Sequence, residues 1–557
     1  MSAKIKIVVE GLNNELRANV LAYLTLAQEK ENPSLSENRI RNYFNRSNEE
    51  IRQALRPFGF YKPTFKNDLE NVNGEWRARY RINVGQQILV KNITITIKGQ
   101  GRNFKSLTEA IKKFPLQTGD YLLHRLYEQG KSKLISAALA EGFANAKYVE
   151  NKLLVDISKN SANIVLQLQT GKQHFFGNTR FQNTQINDSL LSRYLDYQQG
   201  DPFRSDKLQQ LQADLEGSGY FANVDVLPQR DIIKDYQIPI NVGLRLNKPN
   251  KFDLGLGYGT DTGIRGKFGW QRRVLGNRGH KISADITLSE IKKEYQLSYW
   301  IPLADPRTER AEVAAGLRNQ STVTSESIEQ TLGFSLQSEQ KEWRRSLFIE
   351  FENTDFTVGI QSDTTFLFTP GIFLSKGQSN NLIFPNRGFK LTLELKAASE
   401  SLLSDINVAR AVATGKYIYQ PIKNGRLLFR GKLGTVVTGD FDRLPPSYRF
   451  FAGGDNSIRG YTYESLGPKD STNNVIGGHQ IAELSLEYDH NLSENWLAAI
   501  FYDAGSAFND VKDPLSIGIG TGIRYKLPIG MLRVDYALAY SEENRPWKIH
   551  VTVGPDL

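Results

Sequence analysis

One cation lies where it could make specific electrostatic contacts. Arg459 is set between an isoleucine and a glycine in the stretch Asp440–Tyr461. Two prolines and the pair Gly453-Gly454 oppose a regular ladder of hydrogen bonds, so this stretch is predicted to be a long loop. A guanidinium removed from bulk water needs acceptors, and carboxylates suit it because they accept two parallel N–H bonds. The chemistry expected here is therefore ion pairing.

Other kinds of chemistry find little support. The chain has no cysteine, which excludes thiolate nucleophiles, disulfides and cysteine-zinc sites. It has no G-x-S-x-G or H-E-x-x-H motif, and its six histidines form no ligand cluster. We therefore predict no enzyme, cofactor or metal site, although a barrel enzyme would need only scattered residues. The 70 basic and 60 acidic residues are interspersed, which argues against nucleic-acid binding.

The elements that must position Arg459 are strands. From residue 250 onward polarity alternates: Leu391, Leu393 and Leu395 are interleaved with Thr392 and Glu394. Each strand therefore has one apolar and one polar face. An even count of sixteen favours a closed antiparallel transmembrane barrel over a soluble all-β domain. The predicted starts lie near Lys251, Thr262, Lys281, Lys293, Glu312, Ile328, Arg345, Thr365, Gly388, Val408, Arg426, His479, Asn495, Ile517, Met531 and Trp547.

No apolar run in the sequence is long enough for a membrane-spanning helix. The longest apolar run, Trp496–Tyr502, falls far short of the ~20 residues that a spanning helix needs. A closed barrel is the other structure that satisfies every backbone group in lipid. The first four residues carry no signal segment. We expect either a cytosolic protein or a mature form whose signal was replaced by an initiator Met.

The first 250 residues contain a unit repeated three times. Its landmarks are Gly59-Phe60, Gly142-Phe143 and Gly219-Tyr220, spaced by 83 and 77 residues. Each pair is typical of a helix end, and the surrounding pattern predicts three β-α-α-β-β domains. Their strand edges could accept a peptide by β-augmentation. The predicted domains are 1–86, 87–169, 170–249 and the barrel 250–557, with a long inward loop at about 439–477.

Several motifs carry a family resemblance. They are Arg449–Tyr461, the strand segment Phe501–Gly505, and the closing Gly554-Pro-Asp-Leu557. Together with three repeated units and sixteen strands, they resemble the POTRA-plus-barrel superfamily, most closely its TamA branch, the barrel subunits of the translocation and assembly module. The terminal Leu557 departs from the aromatic ending of most outer-membrane barrels.

The resemblance implies that the long loop folds back into the lumen, where Arg459 contacts an acidic residue of the barrel wall. Asp503 and Glu483 are the candidate partners, because both lie on inward faces of their strands. Arg459 would then be a lock, or alternatively an immobile strut. The loop-tip residues are Ser457, Ile458, Arg459, Gly460 and Tyr461, and the strand motif is marked by Phe501 and Gly505.

The resemblance further implies an assembly factor of a Gram-negative-type outer membrane with periplasmic POTRA domains. Its clients would be unfolded outer-membrane proteins such as autotransporters, and its partner a TamB-like protein anchored in the inner membrane. A lateral gate to the lipid bilayer is expected between the first and last strands. The alternative is a two-partner-secretion-type export pore, and an uptake or enzymatic barrel ranks third. The gate residues are Gly255, Gly257, Gly259, Ile549, Val551, Val553 and Gly554.

Overall fold

The computed structural model describes residues 4–72, 74–528 and 530–554. The chain forms two compact units. One comprises Met1–Gln182, Asp196–Gln212 and Asp225–Gly243, and the other comprises Asn183–Leu195, Ala213–Val224 and Leu244–Leu557. Within the described ranges, no helix is both long enough and apolar enough to cross a membrane.

The first repeat is a three-stranded sheet covered by helices. Its middle strand is β3 (Glu75–Asn83), to which β1 (Lys4–Glu10) is parallel and β2 (Thr64–Val72) is antiparallel. Asn13 caps the first helix by accepting the N–H of Leu16 at 2.9 Å. Tyr80 of the central strand is buried in one core with Val20 and Ile51 of the helices. The elements are β1 (Lys4–Glu10), α1 (Asn14–Tyr23), α2 (Thr25–Gln28), α3 (Glu37–Leu55), β2 (Thr64–Val72) and β3 (Glu75–Asn83).

The second and third repeats each have two α-helices, without a counterpart of the short α2, and in each the third strand lies in the middle of the sheet as in the first repeat. The second contains β4 (Leu89–Lys98), α4 (Lys105–Lys112), α5 (His124–Ala140), β5 (Lys147–Asp156) and β6 (Ser161–Gln169). The third contains β7 (Phe175–Gln182), α6 (Asp188–Leu191), α7 (Ser205–Gly217), β8 (Phe221–Pro228) and β9 (Gln237–Leu246). The prediction of three β-α-α-β-β domains is confirmed, while their boundaries stay predictions.

The repeated glycines have a backbone role. Gly59, Gly142 and Gly219 have φ values of 83°, 86° and 75°. A side chain at such angles would clash with the backbone, so glycine is favoured where the chain leaves a helix. The repeat was therefore visible in the sequence because each copy makes the same turn.

Sixteen antiparallel strands form a closed barrel, as the sequence predicts. They are β10 (Asn250–Gly259), β11 (Gly263–Leu275), β12 (His280–Leu288), β13 (Lys292–Pro302), β14 (Glu309–Ser321), β15 (Ser325–Gln340), β16 (Trp343–Val358), β17 (Gln361–Ser379), β18 (Gly388–Ala398), β19 (Val408–Ile422), β20 (Gly425–Thr438), β21 (Gln480–Asn491), β22 (Trp496–Phe508), β23 (Ser516–Leu527), β24 (Gly530–Ala539) and β25 (Trp547–Gly554).

The two faces of the barrel wall differ as the alternation requires. In β22, Ile500 and Tyr502 are exposed, whereas Phe501 and Asp503, which alternate with them, are buried. Successive side chains of a strand point to opposite faces, so an apolar outer face and a charged inner face follow from one sequence pattern.

The barrel closes weakly between its first and last strands. β15 pairs with β16 along the whole of both strands. In the part of the chain that is described, β10 and β25 share one register position, Gly259 opposite Thr552. Just beyond it, Thr260 N–H donates to the Val551 carbonyl at 3.1 Å, and Val551 N–H donates to Thr260 Oγ1 at 2.6 Å. We call this junction the seam.

A long loop, residues 439–479, joins β20 to β21 and folds into the barrel. Its Tyr448 and Phe450 form one buried cluster with Leu367 and Val436 of the wall. Backbone groups in such a segment lose water, and apolar contacts with the wall offset that cost. The predicted in-folded loop is therefore confirmed. Its buried residues include Leu444, Tyr448, Arg449, Phe450, Ala452, Ile458 and Arg459.

Candidate functional site: a buried arginine network in the lumen

The tip of the loop rests closely on the barrel wall. Gly460 has a φ of 97°, and a Cβ there would lie 2.8 Å from the backbone nitrogen of Ala539 on β24. A larger residue would strain the backbone and push it off the wall. Glycine at this position therefore lets the neighbouring Arg459 side chain reach the inner face.

Arg459 forms a two-pronged ion pair with Asp503 of β22. Its Nε donates to Asp503 Oδ2 at 2.7 Å, and its Nη2 donates to Oδ1 at 3.0 Å. The backbone N–H of Arg459 also donates to Oδ2, at 3.1 Å. This geometry is the strong, orientation-specific form of an arginine–carboxylate contact.

Two further carboxylates and an aromatic ring complete the surroundings of Arg459. Its Nη1 donates to Glu487 of β21 at 2.6 Å and to Asp535 of β24 at 3.2 Å. The guanidinium carbon lies 3.5 Å from the centre of the Phe501 ring, a cation–π contact. The buried guanidinium thus has partners on three strands and on its flat face.

A second buried arginine shares these carboxylates. Arg524 of β23 donates to Glu487 at 2.8 Å and to Asp535 at 2.6 Å. Glu487 and Asp535 therefore each bridge two guanidinium groups, which compensates charge that would otherwise be costly to bury. The wider network, which we call the arginine network, includes Arg426, Arg430, Arg459 and Arg524 with Glu487, Asp489, Asp503 and Asp535.

The other predicted tip residues make contacts of their own. Ser457 Oγ donates to Glu483, and the hydroxyl oxygen accepts the N–H of Gly453 at 2.9 Å. Glu483, expected as a partner for the arginine, thus contacts the serine instead. The Tyr461 hydroxyl donates to the Ile517 carbonyl at 3.3 Å.

Gly505 of the strand motif has a packing role. A Cβ at this position would lie 2.3 Å from the Ala482 carbonyl oxygen and 3.1 Å from Cδ1 of Ile458. The missing side chain gives space to the loop tip. Phe501, the other residue of that motif, faces Arg459, so both ends of the motif serve the docked loop.

Some of the predicted gate residues bond across the seam, and the others pair with the neighbouring strand on the other side. Gly259 and Val551 contribute to the seam, whereas Gly255 and Gly257 have register partners on β11 alone among the described residues. Ile549 is half exposed, and Val553 and Gly554 pair with β24. The closing segment Pro555-Asp556-Leu557 lies outside the described residues.

Sequence reasoning missed most partners of Arg459. Glu487 and Asp535 bind Arg459, and Arg524 binds the same carboxylates. Each of the three lies on the polar face of an alternating strand, and an ionisable residue on that face is the sequence signal that could have indicated them. Glu483, Ser485 and Glu487 share one face of β21. Which of them meets the arginine depends on how deeply the loop tip reaches, and alternation does not specify depth.

One further group has side chains of the metal-ligand type. Ligand atoms of Asp261, Asp455 and His550 lie within 4.8 Å of one another. His550 Nε2 accepts the backbone N–H of Gly460 at 2.9 Å, and an amide nitrogen can only donate. The proton of the neutral ring is therefore on Nδ1, which faces Asp455 Oδ1 at 2.5 Å. A metal on Nδ1 would cost the Gly460 hydrogen bond, so the geometry favours a hydrogen-bonded cluster.

The two carboxyl groups of this cluster influence each other. Asp455 N–H donates to Asp261 Oδ2, and Asp261 N–H donates to Asp455 Oδ2 at 3.2 Å. Asp261 lies in the turn after β10, outside the strands. Burial, and then the nearby charge of Asp455, raises the pKa of Asp261 to about 6.

Repeated helix-covered sheets, a sixteen-stranded barrel and an arginine-bearing loop in its lumen define a POTRA-plus-barrel protein. The chain belongs to the Omp85 superfamily, because the Omp85 superfamily domain matches residues 275–554, half of the chain. Two POTRA families also match. POTRA domain TamA domain 1 covers residues 6–84, and the POTRA family described as surface antigen variable number repeat covers residues 174–244.

Similar proteins include two outer membrane protein assembly factors named BamA. That of Nitratidesulfovibrio vulgaris is 22% identical over 65% of this chain and 48% of its own length. That of Neisseria meningitidis serogroup B is 21% identical over 69% of this chain and 53% of its own length. The chain therefore spans about half the length of these relatives. The crystal structure of BamA from Haemophilus ducreyi lacking POTRA domains 1–3 has the same fold. Its TM-score is 0.73 at 16% identity, over 84% of this chain and 99% of that one.

Proposed function

We propose that this chain is an outer-membrane assembly factor that inserts, folds or translocates β-barrel proteins, autotransporters among them. Client strands pass through a lateral gate at the seam, between β10 and β25. The barrel lies in a Gram-negative-type outer membrane, and the POTRA domains lie in the periplasm. The single observation that carries this proposal is the seam, where two strands share one register position within the described part of the chain.

The physical argument rests on unpaired backbone groups. Most of β10 presents one edge without a partner on β25, and an unpaired edge is a template for another strand. In lipid the cost of leaving such groups unsatisfied is several kcal/mol each. A client strand that pairs with this edge removes the cost. Gly255 and Gly257 within β10 further weaken competing side-chain contacts.

The finer assignment is to the TamA branch of the superfamily. It is supported by the match of the TamA-type first POTRA domain to residues 6–84 and by the resemblance of Arg449–Tyr461. This assignment implies a TamB-like partner, anchored in the inner membrane, that binds the POTRA domains. The relatives named as assembly factors support the broader role.

A disulfide across the seam tests the gate. Gly259 and Thr552 lie opposite each other across the seam, so Gly259→Cys with Thr552→Cys falls within reach of a crosslink. The chain has no native cysteine to interfere. We expect the oxidised double variant to lose client assembly in proteoliposomes and to regain it after reduction.

The matched control is a second double variant, Ser335→Cys with Phe348→Cys, whose positions lie opposite each other on β15 and β16. Its oxidation should leave assembly unchanged, because those strands stay paired throughout. Undiminished assembly by the seam-crosslinked protein would refute the gate. A large steady conductance in planar bilayers would indicate an export pore instead.

A further inference from the structure

The arginine network cannot by itself hold the seam together. The carboxylates that bind Arg459 belong to β21, β22 and β24. These strands lie in one continuous part of the wall, on the β25 side of the seam. Arg459 therefore fixes the loop to that wall and leaves β10 unattached.

Asp455, four residues before Arg459, reaches both sides of the seam. Its backbone N–H donates to Asp261, which lies two residues beyond the end of β10. Its carboxylate faces His550 of β25 at 2.5 Å. His550 in turn accepts the N–H of Gly460 at the loop tip, at 2.9 Å. One loop residue thus connects the first strand, the last strand and the docked tip.

The loop backbone is shaped for this approach. Gly454 has a φ of 109°, and a Cβ there would lie 2.4 Å from Oδ2 of Asp261. A side chain at this position would displace the carboxylate that Asp455 binds. The glycine next to Asp455 is therefore accounted for by contact with the β10–β11 turn, and not by loop flexibility alone.

We infer that Asp261, Asp455 and His550 form a clamp by which the in-folded loop holds the first and last strands together. Opening of the seam then requires release of this clamp, a regulatory role that rests on the proposed gate function. Because β10 and β25 share one register position among the residues that the structure describes, charge-assisted hydrogen bonds of the clamp are a large part of what joins these strands.

Distance measurements across the seam test the clamp. Nitroxide labels on Leu254→Cys and Ile549→Cys report the separation of β10 and β25, since both side chains are exposed. The full chain is measured in detergent by pulsed electron spin resonance. We expect Asp261→Ala, and separately His550→Ala, to lengthen the mean label distance by about one strand spacing, roughly 5 Å.

Conservative and neighbouring substitutions provide the controls. Asp261→Asn keeps an oxygen that accepts the Asp455 N–H, so its label distance should stay at the wild-type value. Asn456→Ala alters an exposed loop position and should also leave it unchanged. Labels on Leu336→Cys and Leu347→Cys, opposite each other on β15 and β16, should not separate in any variant. Slower gel migration after heating verifies that each barrel is folded.

Unchanged seam distances in folded Asp261→Ala would overturn the clamp, even if the seam disulfide blocks assembly. Longer distances in the alanine variants but not in Asp261→Asn support it. Suppose that the seam separates in the alanine variants, and that the disulfide-linked double variant still assembles clients at the normal rate. The clamp proposal is then supported, and the gate function is refuted. The two proposals therefore fail separately.

Discussion

The in-folded loop meets the barrel at two places that differ in construction. At the wall formed by β20 to β24, Arg459 enters a largely buried network of four arginines and four carboxylates. At the seam, the cluster of Asp261, Asp455 and His550 joins strands that otherwise pair at one position. The difference suggests a loop anchored firmly on one side and detachably on the other.

Removal of the Arg459 side chain should have the largest effect, because it weakens the firmly anchored side of the loop. Arg459→Ala leaves Asp503, Glu487 and Asp535 with less compensation, and losing one partner of a buried ion pair costs about 3–5 kcal/mol. We expect the loop to leave the wall and become sensitive to added protease. Cleavage within residues 439–479, followed by mass spectrometry, measures this.

The matched control is Arg443→Ala, in the same loop. Arg443 pairs with a partly exposed Asp363 at 2.9 Å, and such surface pairs contribute little to stability. Equal protease resistance of Arg459→Ala and wild type would show that the network does not anchor the loop.

Overpacking beneath the loop tip should have a smaller effect. Gly505→Ala places a methyl group 2.3 Å from the Ala482 oxygen and near Ile458, and forced overpacking costs about 1–3 kcal/mol. We expect a lower temperature for the loss of heat-resistant gel migration. Gly415→Ala on β19 is the control, because a Cβ there meets nothing within 4 Å. A midpoint equal to that of the control would contradict the close fit.

A change of pH should have the smallest effect on the seam, and Asp261 is the expected source of that effect. The closed clamp raises the pKa of Asp261 to about 6 from its usual 3.8, so the closed state binds the proton more tightly than the open state. Closure is therefore favoured as pH falls through about 6. The seam labels should shift toward the short distance as pH falls from above 6 toward 3.8. Asp261→Asn should lack this part of the shift; an identical pH profile in that variant would exclude Asp261 as its source.

Much of the fold could be read from local patterns. Alternation such as that of Leu391, Leu393 and Leu395 recurs in strand after strand, so a period of two residues was enough to give the count and approximate starts of sixteen strands. The glycines that end the helical parts of the repeats, Gly59 and Gly142 among them, encode the same left-handed turn. Each of these signals lies within a short stretch of sequence and can be recognised without knowledge of the rest of the fold.

The details of the site depend on closure of the barrel. Asp261 and His550 are 289 residues apart in the chain and meet because the first and last strands become neighbours. Alternation places Glu483 and Glu487 on the same face of β21, so it does not specify which of them meets Arg459; the two differ in depth along the strand. Depth is set by the path of the whole loop, which no short pattern contains.

The buried guanidinium of Arg459 also has an electrical consequence. Withdrawal of the Arg459 side chain from the wall, with Asp455 kept in place at the seam, would carry a positive charge away and leave a negative one on the wall, so this movement has a gating charge. A unit charge that crosses the full thickness of a membrane gains or loses about 2.3 kcal/mol per 100 mV. The docked loop is thus coupled to the voltage across any bilayer that holds the barrel.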